Sequence, residues 1–380
     1  MGALPNDRND GTQQRIRTYF DFKKEIFRAF LEIGDNKEYG AEFYIPSNYD
    51  AVDVSQAFVD VAFPMSNGWT ITARPGRFNM PLGSGILVGL REGNNVRYTY
   101  DGIRVMARST SGASLDIFKT KPTEIDSDSF DDGGINSQSF EGMYWKLPFQ
   151  SFNLDLYYYR TTNELAYFPG ESTLHGMVGN QVRRSYGARI YGLKNNWDYD
   201  LEGVYQNGHF RDANISAWAF LANFGYTIPS SYPTRFGVRM NVFSGDESPG
   251  RGDLTTFEPP FPRTAHLSDS GLYALMNIVN VAPSISVRFS PTFKMGPGAS
   301  FMWLENSEDA FYWGGSGRPL AISQNGGSYL GSALNFQGDW SVTRNLNVHF
   351  YVERLWAGPA MKSFGAPIIN YAGFYAQCQF

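Results

Sequence analysis

Residues 15–23 read R-I-R-T-Y-F-D-F-K, and this stretch decides the fold because its polar and apolar side chains alternate along its length. The charged and phenolic side chains all fall at odd-numbered positions, while the even-numbered positions hold isoleucine, threonine and two phenylalanines. Successive side chains of a β-strand point to opposite faces, so the stretch has one polar face and one apolar face. A strand with water on one side and lipid on the other needs this division, and we interpret residues 15–23 as a strand of a membrane barrel.

The same alternation recurs from end to end of the chain, with almost no helical periodicity. The clearest further examples are residues 153–159, 197–206, 235–242, 284–289 and 346–352. Many alternating segments run for about 9–12 residues, the length that a tilted membrane strand needs, whereas strands of soluble sandwiches average about 5–6 residues. Segment length therefore favours a membrane barrel over a soluble β-sandwich.

The connections between these segments alternate in length. The short ones are residues 23–25, 66–68, 194–196, 229–233 and 342–345. The long ones are residues 35–53, 80–96, 124–137, 163–181, 244–270 and 306–327. Short turns at one end and long loops at the other are typical of outer-membrane barrels. We therefore predict an all-β fold, a single transmembrane antiparallel up-and-down β-barrel of about 17–18 strands without a plug domain.

Composition agrees with a barrel. Of the 380 residues, 18% are charged and 16% are aromatic, and the formal net charge of -5 argues against a nucleic-acid partner. The mean hydropathy is -0.34, and no apolar run approaches the roughly 18 residues of a transmembrane helix. Only alternate residues of a barrel strand face lipid, so its mean hydropathy stays low. The one cysteine, Cys378, leaves no disulfide within the chain.

The two ends of the chain carry separate expectations. The final segment, residues 371–380, is amphipathic and ends on Phe380, which resembles the signal that the barrel-assembly machinery of bacteria recognises. Residues 1–14 are rich in Asn, Asp and Gly, so we expect a disordered or loop segment there and the barrel over 15–380. If the tight turn at 23–25 is periplasmic, one further strand should come before residue 15. We expect that strand and the export signal to lie outside this sequence, and an odd-stranded barrel is the alternative.

Several stretches, taken in order, resemble the alginate export family of outer-membrane porins. They are residues 56–60, 73–77, 91–97, 100–104, 185–189, 199–206, 244–246, 257–263 and 374–380. The resemblance implies a monomeric barrel of about 18 strands in the bacterial outer membrane, with an Arg-rich constriction that passes anionic polysaccharide. A general porin or an organic-acid porin of the same fold remains an alternative.

Alternation also predicts which side chains line the lumen. The candidate solute-binding residues are Arg17, Arg74, Arg104, Arg108, Arg189, Arg235, Arg239, Arg288, Asp200 and Glu202, with Arg15 on the same faces. A guanidinium holds a carboxylate with two parallel hydrogen bonds, so a series of arginines suits uronate or other carboxylate solutes. The alternative is that the arginines pair across strands with acidic residues and only stiffen the wall. The acidic candidates are Asp21, Asp116, Asp155, Asp198, Asp200, Glu202 and Glu353.

Three local features leave a choice open. Strict alternation from Arg74 points Arg77 to lipid, and a bulge at Pro75 and Gly76 would be needed to turn it inward. The loop at 257–263, F-E-P-P-F-P-R, could fold inward and narrow the pore, or it could be a rigid external loop.

The third feature is an acidic loop that contains Asp126, Asp128, Asp131 and Asp132, a density of oxygen ligands that can hold calcium. Phe130 stands where such a loop would need its third ligand, however, and no Glu closes it. We therefore expect a solvated loop and no metal.

Signals for catalysis are poor. The four histidines show no metal-ligand spacing, and the G-x-S-x-G motif is absent from the sequence. We therefore predict a channel with no enzymatic activity and no cofactor. Its expected partners are outer-membrane lipid, an anionic glycan or small polar solute, and the assembly machinery. A soluble β-rich carbohydrate-binding protein is the alternative of another class.

Overall fold

The structure is a computed structural model that describes residues 10–41, 45–167, 178–249, 252–263, 265–314, 317–320, 327–362 and 368–380. The first strands are β1 Thr12–Lys24, β2 Phe27–Tyr39, β3 Asp50–Pro64, β4 Trp69–Phe78, β5 Tyr100–Ser109, β6 Ser114–Pro122, β7 Gln138–Pro148, β8 Asn153–Tyr167, β9 Val178–Lys194 and β10 Trp197–Phe210. The remaining strands are β11 Ala213–Ile228, β12 Thr234–Phe243, β13 Ile278–Ser290, β14 Phe293–Trp303, β15 Phe311–Trp313, β16 Arg318–Leu320, β17 Tyr329–Ser341, β18 Leu346–Ala357 and β19 Ile368–Cys378. The helical elements are one 3-10 turn, Pro46–Asn48, and one short helix, α1 Pro359–Lys362. Within the described residues, no helix is long and apolar enough to cross a membrane.

The strands form one antiparallel up-and-down β-barrel, as the alternation predicts. Within the described residues, a single sheet holds 17 strands, and each pairs with the next along the chain. The small β15–β16 hairpin is not part of this sheet. It lies in the connection between β14 and β17, which pair with each other. Because the number of strands in the sheet is odd, β1 and β19 run in the same direction.

The two ends of the barrel differ in their connections. We call one end the turn end, because its connections are short, as at residues 25–26, 195–196 and 291–292. Asn195 and Asn196 have φ values of 50° and 67°, which asparagine tolerates better than most residues, so the predicted turn has suitable side chains. We call the other end the loop end, although one of its connections, residues 211–212, is as short as a turn.

Each strand separates a lumen face from an outer face. On β6, Asp116, Phe118 and Thr120 are buried, while Ile117 between them is 47% exposed on the outside. The same division gives the barrel an outer belt of exposed apolar side chains and an inner surface of polar and aromatic ones. The face assignments made from alternation are therefore confirmed where the strands are regular.

Strand boundaries extend beyond the predicted segments. The first strand begins at Thr12, three residues before the predicted start of the barrel, and residues 1–9 lie outside the described part of the chain. The predicted loop at 35–53 is shorter, because β2 continues to Tyr39 and β3 begins at Asp50. Both strands therefore extend further toward the loop end than the alternation in the sequence predicts.

Candidate functional site

Two loops join inside the barrel. Residues 79–99 connect β4 to β5, and residues 244–277 connect β12 to β13, so the two loops start from distant parts of the wall. The backbone amide of Gly89 donates to the carbonyl of Phe261 at 2.8 Å, and the amide of Phe261 donates to the carbonyl of Leu87 at 3.0 Å. We call these segments the joined loops. Because their strands lie far apart in the sheet, the pair crosses the lumen.

An aromatic cluster fixes the tip of the longer loop to the wall. The Phe261 ring lies 5.0 Å from the ring of Tyr100 and 4.9 Å from that of Phe140, measured between centroids. Tyr100 and Phe140 are fully buried on the lumen faces of β5 and β7. The Pro- and Phe-rich segment at 257–263 therefore folds inward and narrows the lumen, and it is not an external loop.

Polar side chains hold the longer loop at two other places on the wall. On β10, the Gln206 side-chain amide donates to the carbonyl of Glu258 at 2.8 Å. On β18, the Ser268 hydroxyl donates to Glu353 at 2.7 Å, and His349 lies 2.9 Å from Asp269. These contacts span the barrel, since β10 and β18 stand well apart in the sheet.

The shorter loop has an anchor of its own. The Ser84 hydroxyl donates to Glu202 at 3.2 Å, and Glu202 also accepts from the Tyr157 hydroxyl at 2.7 Å. Glu202 is buried, so this predicted solute-binding residue supports a loop instead of facing the open lumen. A cavity of about 140 Å³ remains beside the joined loops, with Glu258, Arg263 and Tyr273 in its lining.

Most of the predicted arginines have a carboxylate partner on a nearby strand. Arg74 donates twice to Asp60, at 2.6 and 2.7 Å, and Arg235 donates twice to Asp198, at 2.6 and 2.9 Å. Arg189 likewise holds Asp200, with Nε to Oδ1 at 2.7 Å. The longest pair is Arg17 with Glu32, at 3.8 Å. The structure thus places these arginines on the lumen face, but carboxylates of the barrel wall neutralise much of their charge.

Arg104 and Arg108 differ from the others because they share one carboxylate. Arg104 Nε and Arg108 Nη2 reach the same Asp116 oxygen, at 2.7 and 2.8 Å. Asp116 and Arg104 are buried, whereas the Arg108 side chain is 43% exposed. Two guanidiniums on one carboxylate leave an excess positive charge, with Arg108 facing the lumen near the turn end.

The last two predicted arginines have other surroundings. Arg239 is largely enclosed beneath the longer joined loop and donates to the carbonyl of Leu267 at 3.1 Å. Arg288 is exposed near the turn end, and no side chain in the described part of the barrel is paired with it.

Alternation did not identify Asp60 as a partner of Arg74, although its place on the lumen face of β3 could have done so. Arg183, buried between Gln206 and the longer joined loop, was also missed.

Arg77 stays on the outer face, as strict alternation predicts. The register between β4 and β5 is continuous through Pro75 and Gly76, so no bulge turns Arg77 inward. Its guanidinium instead donates twice to Asp101, directly opposite on β5, at 2.7 and 2.9 Å. It also donates to the carbonyl of Asp132 at 3.0 Å, in the loop between β6 and β7. That loop, residues 123–137, covers Arg77, and we call it the acidic loop.

A buried carboxyl in a third loop supports a pH prediction. Asp309, in the connection after β14, accepts from the Thr256 hydroxyl at 2.6 Å and from the amide of Asp246 at 2.9 Å. Burial raises the pKa of Asp309 to about 6. A raised carboxyl pKa means that the protonated form is favoured in the fold, so the stability of this contact falls as pH rises through about 6.

We expect the amides of Asp246 and Ala310 to exchange hydrogen faster at pH 7 than at pH 5, after correction for intrinsic exchange. The change should be at most about 1.4 kcal/mol per pH unit, the limit for one proton. Asp309→Asn should remove the pH dependence, and Glu308→Gln, an exposed acid in the same loop, should leave it intact. Parallel pH profiles for wild type and Asp309→Asn would contradict this assignment.

Comparison with known proteins agrees with this architecture. The family model described as alginate export matches residues 2–374. No curated protein sequence matches the chain.

Three solved structures illustrate the likeness in fold. OccAB1 of Acinetobacter baumannii superposes with a TM-score of 0.59 at 11% identity, over 97% of this chain and 90% of that one. OccK11 (OpdR) of Pseudomonas aeruginosa gives 0.56 at 11% identity, over 97% and 95%. The outer membrane protein OprD of Pseudomonas aeruginosa gives 0.53 at 12% identity, over 96% and 88%. At these identities, the likeness concerns the fold alone.

Proposed function

Because the chain belongs to the alginate export family, a family of outer-membrane channels, we propose that it passes acidic polysaccharides or oligosaccharides through an Arg-lined lumen. The protein is a porin-type channel of the bacterial outer membrane and not an enzyme. The soluble carbohydrate-binding alternative is thereby excluded. The monomeric state, the assembly role of Phe380 and the single-barrel domain from residue 15 onward stay predictions.

The observation that carries the proposal is the shared carboxylate at Asp116. With Arg104 and Arg108 on one acid, the lumen near the turn end holds a guanidinium whose charge is not fully balanced. Arg288 adds a second exposed guanidinium in the same half of the barrel. A carboxylate solute could bind such groups one after another, and partial exposure keeps each contact weak enough for release.

A second candidate, a porin for small organic acids or other polar solutes, is favoured by the joined loops. They cross the lumen and narrow the space that remains for a solute. Such a space suits a small solute better than a glycan chain, unless the loops move during transport. The two candidates therefore differ in the size of the solute, while both place carboxylates against the arginines.

Single-channel recording in planar bilayers tests the proposal. Wild-type protein under a salt gradient should show an anion-selective reversal potential, and added polyuronate should block the open steps. Arg108→Gln should shift the reversal potential toward zero and weaken the block, and both effects should shrink at high salt because exposed charges are screened over about 10 Å at 0.1 M.

The matched control is Arg354→Gln, which removes the same charge from the outer face of β18. Arg354 lies opposite Leu334, which is 58% exposed, and should leave selectivity unchanged. Open steps that are indifferent to polyuronate would favour the small-solute candidate. Equal shifts of the reversal potential in Arg108→Gln and Arg354→Gln would mean that Arg108 does not line the conduction path.

A further inference from the structure

The acidic loop meets two buried acids of the barrel rim. One carboxylate oxygen each from Asp50, Asp53 and Asp132 lies within 4.8 Å of the other two. Asp50 and Asp53 belong to the loop end of β3 and are each only 3% exposed, while Asp132 comes from the acidic loop. The sequence pattern pointed to the loop acids alone, and their convergence with β3 is visible only in the fold.

An unpartnered oxygen distinguishes this cluster from an ordinary group of acids. Asp50 Oδ2 accepts from the Asn36 side-chain amide at 3.1 Å, but no donor in the described part of the chain reaches the buried Asp50 Oδ1. A buried carboxylate oxygen without a hydrogen bond or a cation is costly. The observation therefore points to a positively charged ligand at this oxygen.

The charges around the three acids also favour a bound cation. Among the described residues, Arg77 is the one cation within 4.0 Å of these carboxylates, with Nη1 at 4.0 Å from Asp53, but its other nitrogens already hold Asp101. Asp53 Oδ2 accepts from the backbone amides of Asp131 and Asp132, at 2.9 and 3.2 Å, which brings the acidic loop to the cluster. Three acids thus share one distant guanidinium, and a net negative charge remains.

We propose that Asp50, Asp53 and Asp132 bind a divalent cation, Ca²⁺ in preference to Mg²⁺, which fastens the acidic loop to the rim of the barrel. Oxygen-only ligands select a hard cation. Three protein carboxylates at one site suit Ca²⁺, which takes six to eight oxygen ligands in a flexible geometry, better than Mg²⁺, which keeps several waters and uses one or two carboxylates. This inference does not depend on which solute the channel carries, and it revises the expectation of no metal.

Calcium binding can be measured on full-length protein refolded into detergent without lipopolysaccharide and stripped with EDTA. Isothermal titration with CaCl₂ should give one site in wild type, and Ca²⁺ should slow cleavage after Glu124 by endoproteinase Glu-C. Asp50→Asn and Asp132→Asn should each lower the affinity at least tenfold. The matched control is Asp128→Asn, which removes the same charge from an exposed position of the acidic loop and should bind as wild type does.

A change of gel mobility on heating verifies that each variant is folded before titration. Asp132 lies in a loop, so Asp132→Asn still tests the proposal if Asp50→Asn fails to fold. Absence of a saturable calcium signal in wild type would overturn the proposal. So would an equal loss of affinity in Asp128→Asn, which would indicate diffuse attraction to the loop. Equal affinity for MgCl₂ would overturn the preference for Ca²⁺.

Discussion

Asp116→Asn is expected to destabilise the folded barrel by about 3–5 kcal/mol, the cost of removing one partner from a buried ion pair. Arg104 and Asp116 are buried, and the Arg104 guanidinium reaches Asp116 through two nitrogens, at 2.6 and 2.7 Å. Without the carboxylate, Arg104 keeps its charge in a buried place and faces the second charge of Arg108. Both the lost pairing and the new repulsion lower stability.

Urea unfolding in lipid vesicles, followed by tryptophan fluorescence, measures this effect. Arg104→Gln combined with Asp116→Asn should recover part of the loss, because the pair is then removed as a unit. Lys294→Gln breaks an exposed pair with Asp339 and should cost less than about 1 kcal/mol. If Asp116→Asn costs no more than Lys294→Gln, lumen water must solvate Arg104 well enough to replace its partner.

Replacing residues 259–263 with a flexible Gly/Ser segment of the same length is expected to raise single-channel conductance several-fold. The replacement removes the Phe261 ring from its contacts with Tyr100 and Phe140 and takes away the proline-stiffened tip. It also weakens the backbone pairing with Leu87 and Gly89, since glycine-rich chains lose more entropy on ordering. The tip of the longer joined loop would then be free of β5 and β7, while its contacts with β10 and β18 remain.

The control for this change is the same replacement at residues 126–130 of the acidic loop. Phe130 donates its amide to the carbonyl of Val52, and the Val52 side chain is exposed on the outside of β3. That loop covers the outer side of the rim, so its replacement should leave conductance unchanged. Unchanged conductance in the 259–263 variant would mean that the conduction path does not pass the joined loops.

Alternation along the sequence predicted the strands and their faces because both are set by neighbouring residues. Residues 15–23 lie within β1, and the lumen position of Asp116 and the outer position of Arg77 follow from a period of two. The same local rule also gave the inward direction of Arg74, Arg189 and Arg235. It gave Asp198 and Asp200 as candidate partners but did not assign either acid to a particular arginine, because the pairing depends on other strands.

The contents of the lumen could not be predicted in the same way. The pairing of Gly89 with Phe261 joins segments far apart in the chain, and nothing in either segment alone specifies the other. From the sequence, residues 257–263 could fold into the lumen or form an external loop. The contacts with aromatic side chains of β5 and β7 place them in the lumen. The cluster of Asp50, Asp53 and Asp132 was missed for the same reason, because it forms between a strand and a distant loop.

The joined loops also impose an order of events on biogenesis. Residues 79–99 are made early and residues 244–277 late, so the two loops can pair only after the strands between them have been synthesised. The contacts of Phe261 with Tyr100 and Phe140 close a chain segment of well over a hundred residues. Closing so long a segment costs conformational entropy before the contacts repay it, so we expect the interior to fill late in folding.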